Sequence, residues 1–126
     1  MRFLYDSHYL PPAPSVEIWL GAPGESLTSG LHQALVDTGA DMSLIPAKHI
    51  RPLQAVPDDY RYLRSQWGER KRVAIYSLDI GIGNLRLPSV EVVADEYGDE
   101  IILGRNLLNK LRMTLDGPNR ALEISS

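Results

Sequence analysis

The sequence predicts an all-β domain, an antiparallel barrel or sandwich, on three observations. Short segments of alternating apolar and polar residues recur at close spacing along 126 residues. Turn-forming residues, drawn from ten glycines and nine prolines together with Asn and Asp, cluster between those segments. Little of the chain has a helical period long enough to cross over between parallel strands. The length suits one compact domain with a real core and is too short for two lobes of ordinary domain size.

The elements follow in order. Residues 1–14 read as an extended lead-in, because Pro11, Pro12 and Pro14 cannot donate ladder hydrogen bonds. A single domain is expected over 15–126. It opens with Val16, Ile18 and Leu20 alternating with Glu17 and Trp19, the period of two of a half-buried strand, and Gly21 to Gly24 then supply a turn. Further strands are expected over 31–36, 42–45, 60–65, 72–80, 85–94, 101–103, 112–115 and 121–124. Gly81-Ile82-Gly83-Asn84, Tyr97-Gly98-Asp99 and Asp116-Gly117-Pro118-Asn119 supply turn chemistry between them. The spacing predicts one short helix near the C-terminus, over 106–111, and a turn over 47–50.

Composition and charge narrow the functions. Thirteen basic against sixteen acidic residues leave a formal charge of -3, and the pI is near 5.5. Domains that track a phosphate backbone usually carry a clear basic excess, so nucleic acid is not an expected partner. The absence of cysteine removes disulfide scaffolds, thiolate nucleophiles, zinc ribbons and iron-sulfur clusters. Asp6, Ser7 and His8 fall where a signal peptide needs an unbroken apolar stretch, and no window approaches the ~18 apolar residues of a membrane span. The expectation is a soluble, cytoplasmic protein with no membrane partner.

Several motifs carry no chemistry. Gly81-Ile82-Gly83 lacks a third glycine at Arg86 and opens no helix, so it reads as a hairpin turn rather than a dinucleotide site. His8, His32 and His49 show no i, i+4 pair, and no metal site is expected. Asp95, Glu96, Asp99 and Glu100 do not match calcium-loop spacing and read as a solvated turn. Arg70-Lys71-Arg72 reads as a solvated face of a hairpin arm, with substrate contact as the alternative. No Gly-x-Ser-x-Gly elbow accompanies any serine.

Two stretches differ. In Ala34-Leu35-Val36-Asp37-Thr38-Gly39-Ala40-Asp41, an apolar strand stops on a carboxylate, and Thr38 and Gly39 permit the abrupt turn that lifts Asp37 out of the sheet. Alone, this is compatible with a local side-chain turn at a strand end. The second, Ile101-Ile102-Leu103-Gly104-Arg105-Asn106-Leu107-Leu108, is an apolar strand broken by glycine and followed by a short helix.

Together the two stretches resemble the retropepsins, the retroviral-type aspartic proteases, in the order, separation and identity of their residues. Met113-Thr114-Leu115 follows the helix as that family's closing strand does. The resemblance implies a closed antiparallel β-barrel with one short C-terminal helix, working as a homodimer on peptide or protein substrates without a cofactor. It implies Asp37 as the catalytic carboxylate. It also implies that Thr38 braces two catalytic loops across the subunit interface, and that Gly39 keeps them narrow enough to meet. Ala40 stands where pepsin-like enzymes carry a serine; without that hydroxyl, a higher operating pH is expected. Asp41 and Arg105 resemble the family's structural ion pair, for which a planar guanidinium is well shaped. By position the substrate-covering flap falls on 64–70, with Gln66, Trp67 and Gly68 at its tip. Leu35, Trp67 and positions 92–95 are the expected pocket residues.

Two departures from the family pattern stand out. The flap tip carries Trp67 in place of a glycine-rich run. The chain also continues past the usual end into Ala121-Leu122-Glu123-Ile124, an added strand in a region where retroviral subunits pair through both termini. One Asp-Thr-Gly supplies one carboxylate, whereas amide hydrolysis through an activated water needs two, so the site is expected to form across a twofold axis. The competing expectation is a non-catalytic dimerisation or peptide-binding module of the same fold.

Overall fold

A computed structural model describes residues 1–64 and 67–125. Its centre is a closed barrel of six strands. β2 (Ser15–Gly21) pairs with β3 (Ser29–Val36), and β3 with β8 (Ile101–Leu103). The circuit continues through β4 (Ser43–Pro46), β7 (Leu85–Asp95) and β6 (Arg70–Ile82), and β6 returns to β2. Trp19, Leu20 and Gly21 of β2 opposite Gly81, Ile80 and Asp79 of β6 make the closure. The barrel is the expected one, and two of its ladders, β3–β8 and β4–β7, run parallel.

Alternation explains how the strands face. Val16, Ile18 and Leu20 of β2 are buried while Glu17 and Trp19 point out, as the sequence pattern predicts. Ala34, Val36, Ile45, Val92, Ile101 and Leu103 join them in the core, a contiguous apolar interior of the kind that dominates folding free energy. Two short helices flank it. α1 (Ala47–Ile50) leads into a 3₁₀ turn over Arg51–Leu53, and α2 (Arg105–Leu108) seats Leu107 and Leu108 in the core. The helix expected over 106–111 is shorter because the chain tightens after Leu108: the N–H groups of Lys110 and Leu111 bond three residues back, to Leu107 and Leu108.

Two additions complete the fold. β5 (Asp59–Arg64) pairs only with the first half of β6, and the two form a hairpin that leaves the barrel. β1 (Arg2–Leu4), β10 (Ala121–Ser125) and β9 (Arg112–Asp116) form a separate three-stranded sheet in that order. The segment read as a lead-in therefore supplies a strand paired to the C-terminal extension within one chain, with Phe3 opposite Leu122.

The barrel holds one buried carboxylate that sequence reading passed over. Asp79 is 2% exposed where the β6–β7 register shifts. Its Oδ1 accepts the Ser89 N–H at 2.9 Å. Its Oδ2 accepts the Gly24 N–H at 3.0 Å and two Arg86 nitrogens at 3.1 and 2.7 Å. Burial alone would raise this carboxyl, but those donors hold it below the ordinary aspartate value.

Candidate active site

β3 delivers the site. Its cross-strand partners place Leu35, Ile102, Leu44, Val93 and Ile75 in one row across five strands. This row lies on the face opposite the core residues Ala34, Val36, Leu103 and Ile45. Asp37 comes two residues after Leu35, so strand alternation carries it to the same side as the apolar row. Leu44 and Val93, with Leu63 and Val73 from the β5–β6 hairpin, line an open groove of about 610 Å³. Lys71 and Tyr97 stand across its edge, the ammonium 4.6 Å from the ring centroid.

Asp37 is half-buried and fixed at both ends. Its backbone N–H donates to Leu103 at 3.0 Å, extending the β3–β8 ladder by one bond. Its Oδ1 accepts the Gly39 N–H at 2.9 Å, and its carbonyl accepts the Ala40 N–H at 3.2 Å, which closes a tight turn. A Cβ at Gly39 would stand 3.1 Å from that Oδ1, so the small residue fits where the carboxylate folds back over the loop.

The start of α2 buttresses this turn through the backbone. The Arg105 N–H donates to Ala40 at 2.8 Å and the Asn106 N–H to Asp41 at 3.2 Å. Gly104 is required by contact: a Cβ there would lie 2.3 Å from the Met42 carbonyl oxygen and 2.9 Å from that of Ala40. Ser43, fully buried, accepts the Gly104 N–H at 3.0 Å and donates to Asn106 Oδ1 at 2.9 Å. The Asn106 amide nitrogen in turn donates to the Glu91 carbonyl at 2.7 Å. Ser43 and Asn106 were not singled out from the sequence. The available signal was a lone serine inside the apolar strand over 42–45.

The structure brings Asp37, Thr38, Gly39, Ala40 and Arg105 together. The ion pair expected between Asp41 and Arg105 is not formed among the described residues; the Arg105 guanidinium donates instead to the Thr38 carbonyl at 2.8 Å. Both side chains of the expected pair are exposed, where an ion pair gains little over hydration, and the backbone bonds already join the two segments. Trp67, 82% exposed, and Gly68, at φ +84°, lie between the arms of the β5–β6 hairpin. Gln66 lies outside the described residues. Of the expected pocket positions, Val93, Ala94 and Asp95 line the groove, Leu35 and Trp67 are not among its lining residues, and Val92 faces the core. Among the described residues no group of three or more His, Asp or Glu side chains converges as metal ligands, and no helix is long and apolar enough to cross a membrane.

A six-stranded barrel carrying Asp-Thr-Gly at the end of β3, buttressed by Gly-Arg-Asn at the start of α2, has the fold of a retropepsin-like aspartic protease. The sequence matches the family described as gag-polyprotein putative aspartyl protease over residues 30–110, and the chain belongs to that family. Among solved structures it is similar to a retropepsin-like aspartic protease from Rickettsia conorii, with a TM-score of 0.67 over 100% of this chain and 92% of that one at 14% identity. It is similar also to the simian foamy virus protease, with a TM-score of 0.52 over 72% of this chain and 87% of that one at 21% identity. The retroviral protease-like domain of Ddi1 from Leishmania major gives a TM-score of 0.54 over 90% of each chain at 16% identity. At these identities the likeness is one of fold. No curated protein matches the sequence.

Proposed function

We propose that the chain is an aspartic endopeptidase acting as a homodimer, each copy contributing Asp37 to one shared site. The observation that carries this reading is the Asp37 turn itself. A carboxylate is held at the end of a barrel strand, on the same side of the sheet as an open apolar groove walled by a projecting hairpin. The groove suits an extended peptide, gripped by backbone hydrogen bonds in the manner of strand addition.

Two carboxylates about 3 Å apart at an effective dielectric of about 20 repel by about 5 kcal/mol, so the pair keeps one proton, as is known for this enzyme class. The ionised Asp37 takes a proton from a water lying between the two, and the protonated Asp37 donates to the scissile carbonyl oxygen. The water oxygen bonds to the carbonyl carbon, and the tetrahedral species collapses by breaking the C–N bond as the carboxyl that took the water's proton passes it to the leaving amine. No covalent bond to the protein forms. Thr38 braces the paired loops, Gly39 lets them approach, and Trp67 and Gly68 belong to the flap. Ala40 offers the pair no hydroxyl, which favours turnover at a higher pH than in serine-bearing relatives.

The test is cleavage of a denatured protein mixture by wild type and by Asp37→Asn, with sedimentation of both. Wild type is expected to cleave, to be blocked by a statine-type transition-state mimic, and to lose specific activity on dilution toward the dimer dissociation constant. Asp37→Asn is expected to keep fold and dimer and to cleave nothing. Normal cleavage by Asp37→Asn, or undiminished specific activity in a demonstrated monomer, overturns the proposal.

A further inference from the structure

Charge is unevenly spread over this chain. The hairpin over 59–72 holds five of the thirteen basic residues and two of the sixteen acidic ones, in a protein whose net charge is -3. Cross-strand register shows how the hairpin presents them. Tyr62 stands opposite Arg72 and Arg64 opposite Arg70, so these four share one face, and Tyr60 opposite Ala74 extends it. Leu63, opposite Lys71, and Val73 lie on the other face and line the groove. Arg64 and Arg72 border the groove as well, while Tyr60, Tyr62 and Arg70 do not.

The outer face is ordered. The Arg72 guanidinium carbon lies 4.0 Å from the Tyr60 ring centroid, and that of Arg70 lies 4.9 Å from that of Tyr62. Both are diagonal cation-π contacts, which place each guanidinium over a tyrosine ring. Arg61, on the other face, has carboxylate partners in Asp59 and Glu91. Among the described residues, no carboxylate lies within 4.0 Å of Arg64, Arg70 or Arg72. β5 is also the last strand of its sheet and pairs on one side only, and all six of its residues are exposed. Its free edge offers roughly 20 Å of backbone donors and acceptors.

We propose that the outer face of this hairpin, built on Arg64, Arg70 and Arg72 over Tyr60 and Tyr62, docks an acidic extended segment of the substrate polypeptide that runs from the rim of the groove over the hairpin. Planar guanidinium edges match carboxylates bidentately, and the open strand edge matches an extended backbone. An acidic polypeptide fits better than a nucleic acid. The two rings on which bases would stack are already covered by arginine, and the protein as a whole is acidic. The substrate role rests on the proteolytic reading above; the docking itself does not.

The test separates the two. Binding of a fluorescent peptide of about ten residues, rich in Glu and Asp, is measured by anisotropy on full-length Asp37→Asn protein, so no turnover is needed. An equally long lysine-rich peptide and a single-stranded oligonucleotide serve as competitors. Binding of the acidic peptide is expected, weakening at least about tenfold when Arg64, Arg70 and Arg72 are reversed to Glu, and by a smaller factor in Arg70→Gln/Arg72→Gln, which keeps side-chain bulk. In wild type, an acidic tail appended to a cleavable peptide is expected to lower KM and leave kcat unchanged, and the reversal variant is expected to lose that advantage. Acidic-peptide binding that survives the reversal in a folded protein overturns the proposal, as does tighter binding of the oligonucleotide. If no peptide is cleaved yet the acidic peptide binds this face, the proteolytic reading fails and the docking surface stands.

Discussion

The Arg105 guanidinium reaches across from the start of α2 to the carbonyl of Thr38, 2.8 Å away, and so holds the turn that presents Asp37 from its far side. The same residue's backbone N–H holds Ala40. One residue thus grips the loop twice, once through its side chain and once through its main chain.

Because only the side-chain grip is lost on substitution, Arg105→Ala is expected to lower kcat by about three- to tenfold, the worth of one partly solvated charged hydrogen bond. The urea midpoint should hardly move, since the side chain is exposed. Peptide-cleavage kinetics beside urea unfolding check the split; a collapse of stability with unchanged kcat runs against it.

Gly104→Ala is expected to act on the fold as well as the site. The added methyl meets the Met42 carbonyl oxygen at 2.3 Å, and a backbone carbonyl cannot yield as a flexible side chain does. A loss of about 2 kcal/mol in urea unfolding is expected, with m unchanged.

Asp79→Ala removes the carboxylate that gathers Gly24, Ser89 and Arg86. With an arginine left facing a partly buried gap, destabilisation of about 3 kcal/mol is expected. The wild-type carboxyl titrates below its unfolded value, so its contribution is present above about pH 4 and is lost as pH falls through the folded pKa. Wild type should therefore lose stability over that acid range more steeply than Asp79→Ala.

A second pH effect belongs to two histidines that show no paired spacing in the sequence. His32 on β3 and His49 on α1 stack with ring centroids 4.1 Å apart, and Ser29 Oγ lies 2.8 Å from His32 Nε2. Burial lowers both pKa values; for His49, the neighbouring His32 and Lys48 lower it further, against an opposing pull from Asp99. Below the unfolded value of about 6.5, the unfolded chain binds more protons than the folded one, so stability falls as pH drops through that value. Replacing His49 by Gln should flatten the profile between about pH 7 and 5, measured as the urea midpoint against pH. An unchanged slope defeats the assignment.

The residues that repeat locally were legible. Alternation over Val16, Ile18 and Leu20 placed β2, and the juxtaposition of Asp37-Thr38-Gly39 with Gly104-Arg105-Asn106 marked the two loops that meet. What escaped is what depends on distant partners. Phe3 meets Leu122 across nearly the whole chain, and the Leu35 row exists only because β8 and β4 insert between β3 and β7. Ser43 reads as a flaw in an apolar strand until Gly104 and Asn106 are beside it. Arg105 matched the expected ion pair in residue type, yet main-chain bonds had already joined its segment to that of Asp41, and its side chain found the Thr38 carbonyl instead.

β6 serves two structures without a break. Residues Ile75 to Ile82 are staves of the barrel, laddered to β7 and, near Gly81, to β2, while Arg70 to Ala74 are an arm of the hairpin, bonded to β5 alone. Mechanically this is a beam clamped over one half and free over the other. A span held in this way has no loose joint to swing on, and Ile75, laddered to both Asp59 and Val93, is the point where the clamped half meets the projecting half. Ile75 also stands in the cross-strand row that ends on Leu35, so the root of the hairpin and the strand leading to Asp37 are parts of one sheet.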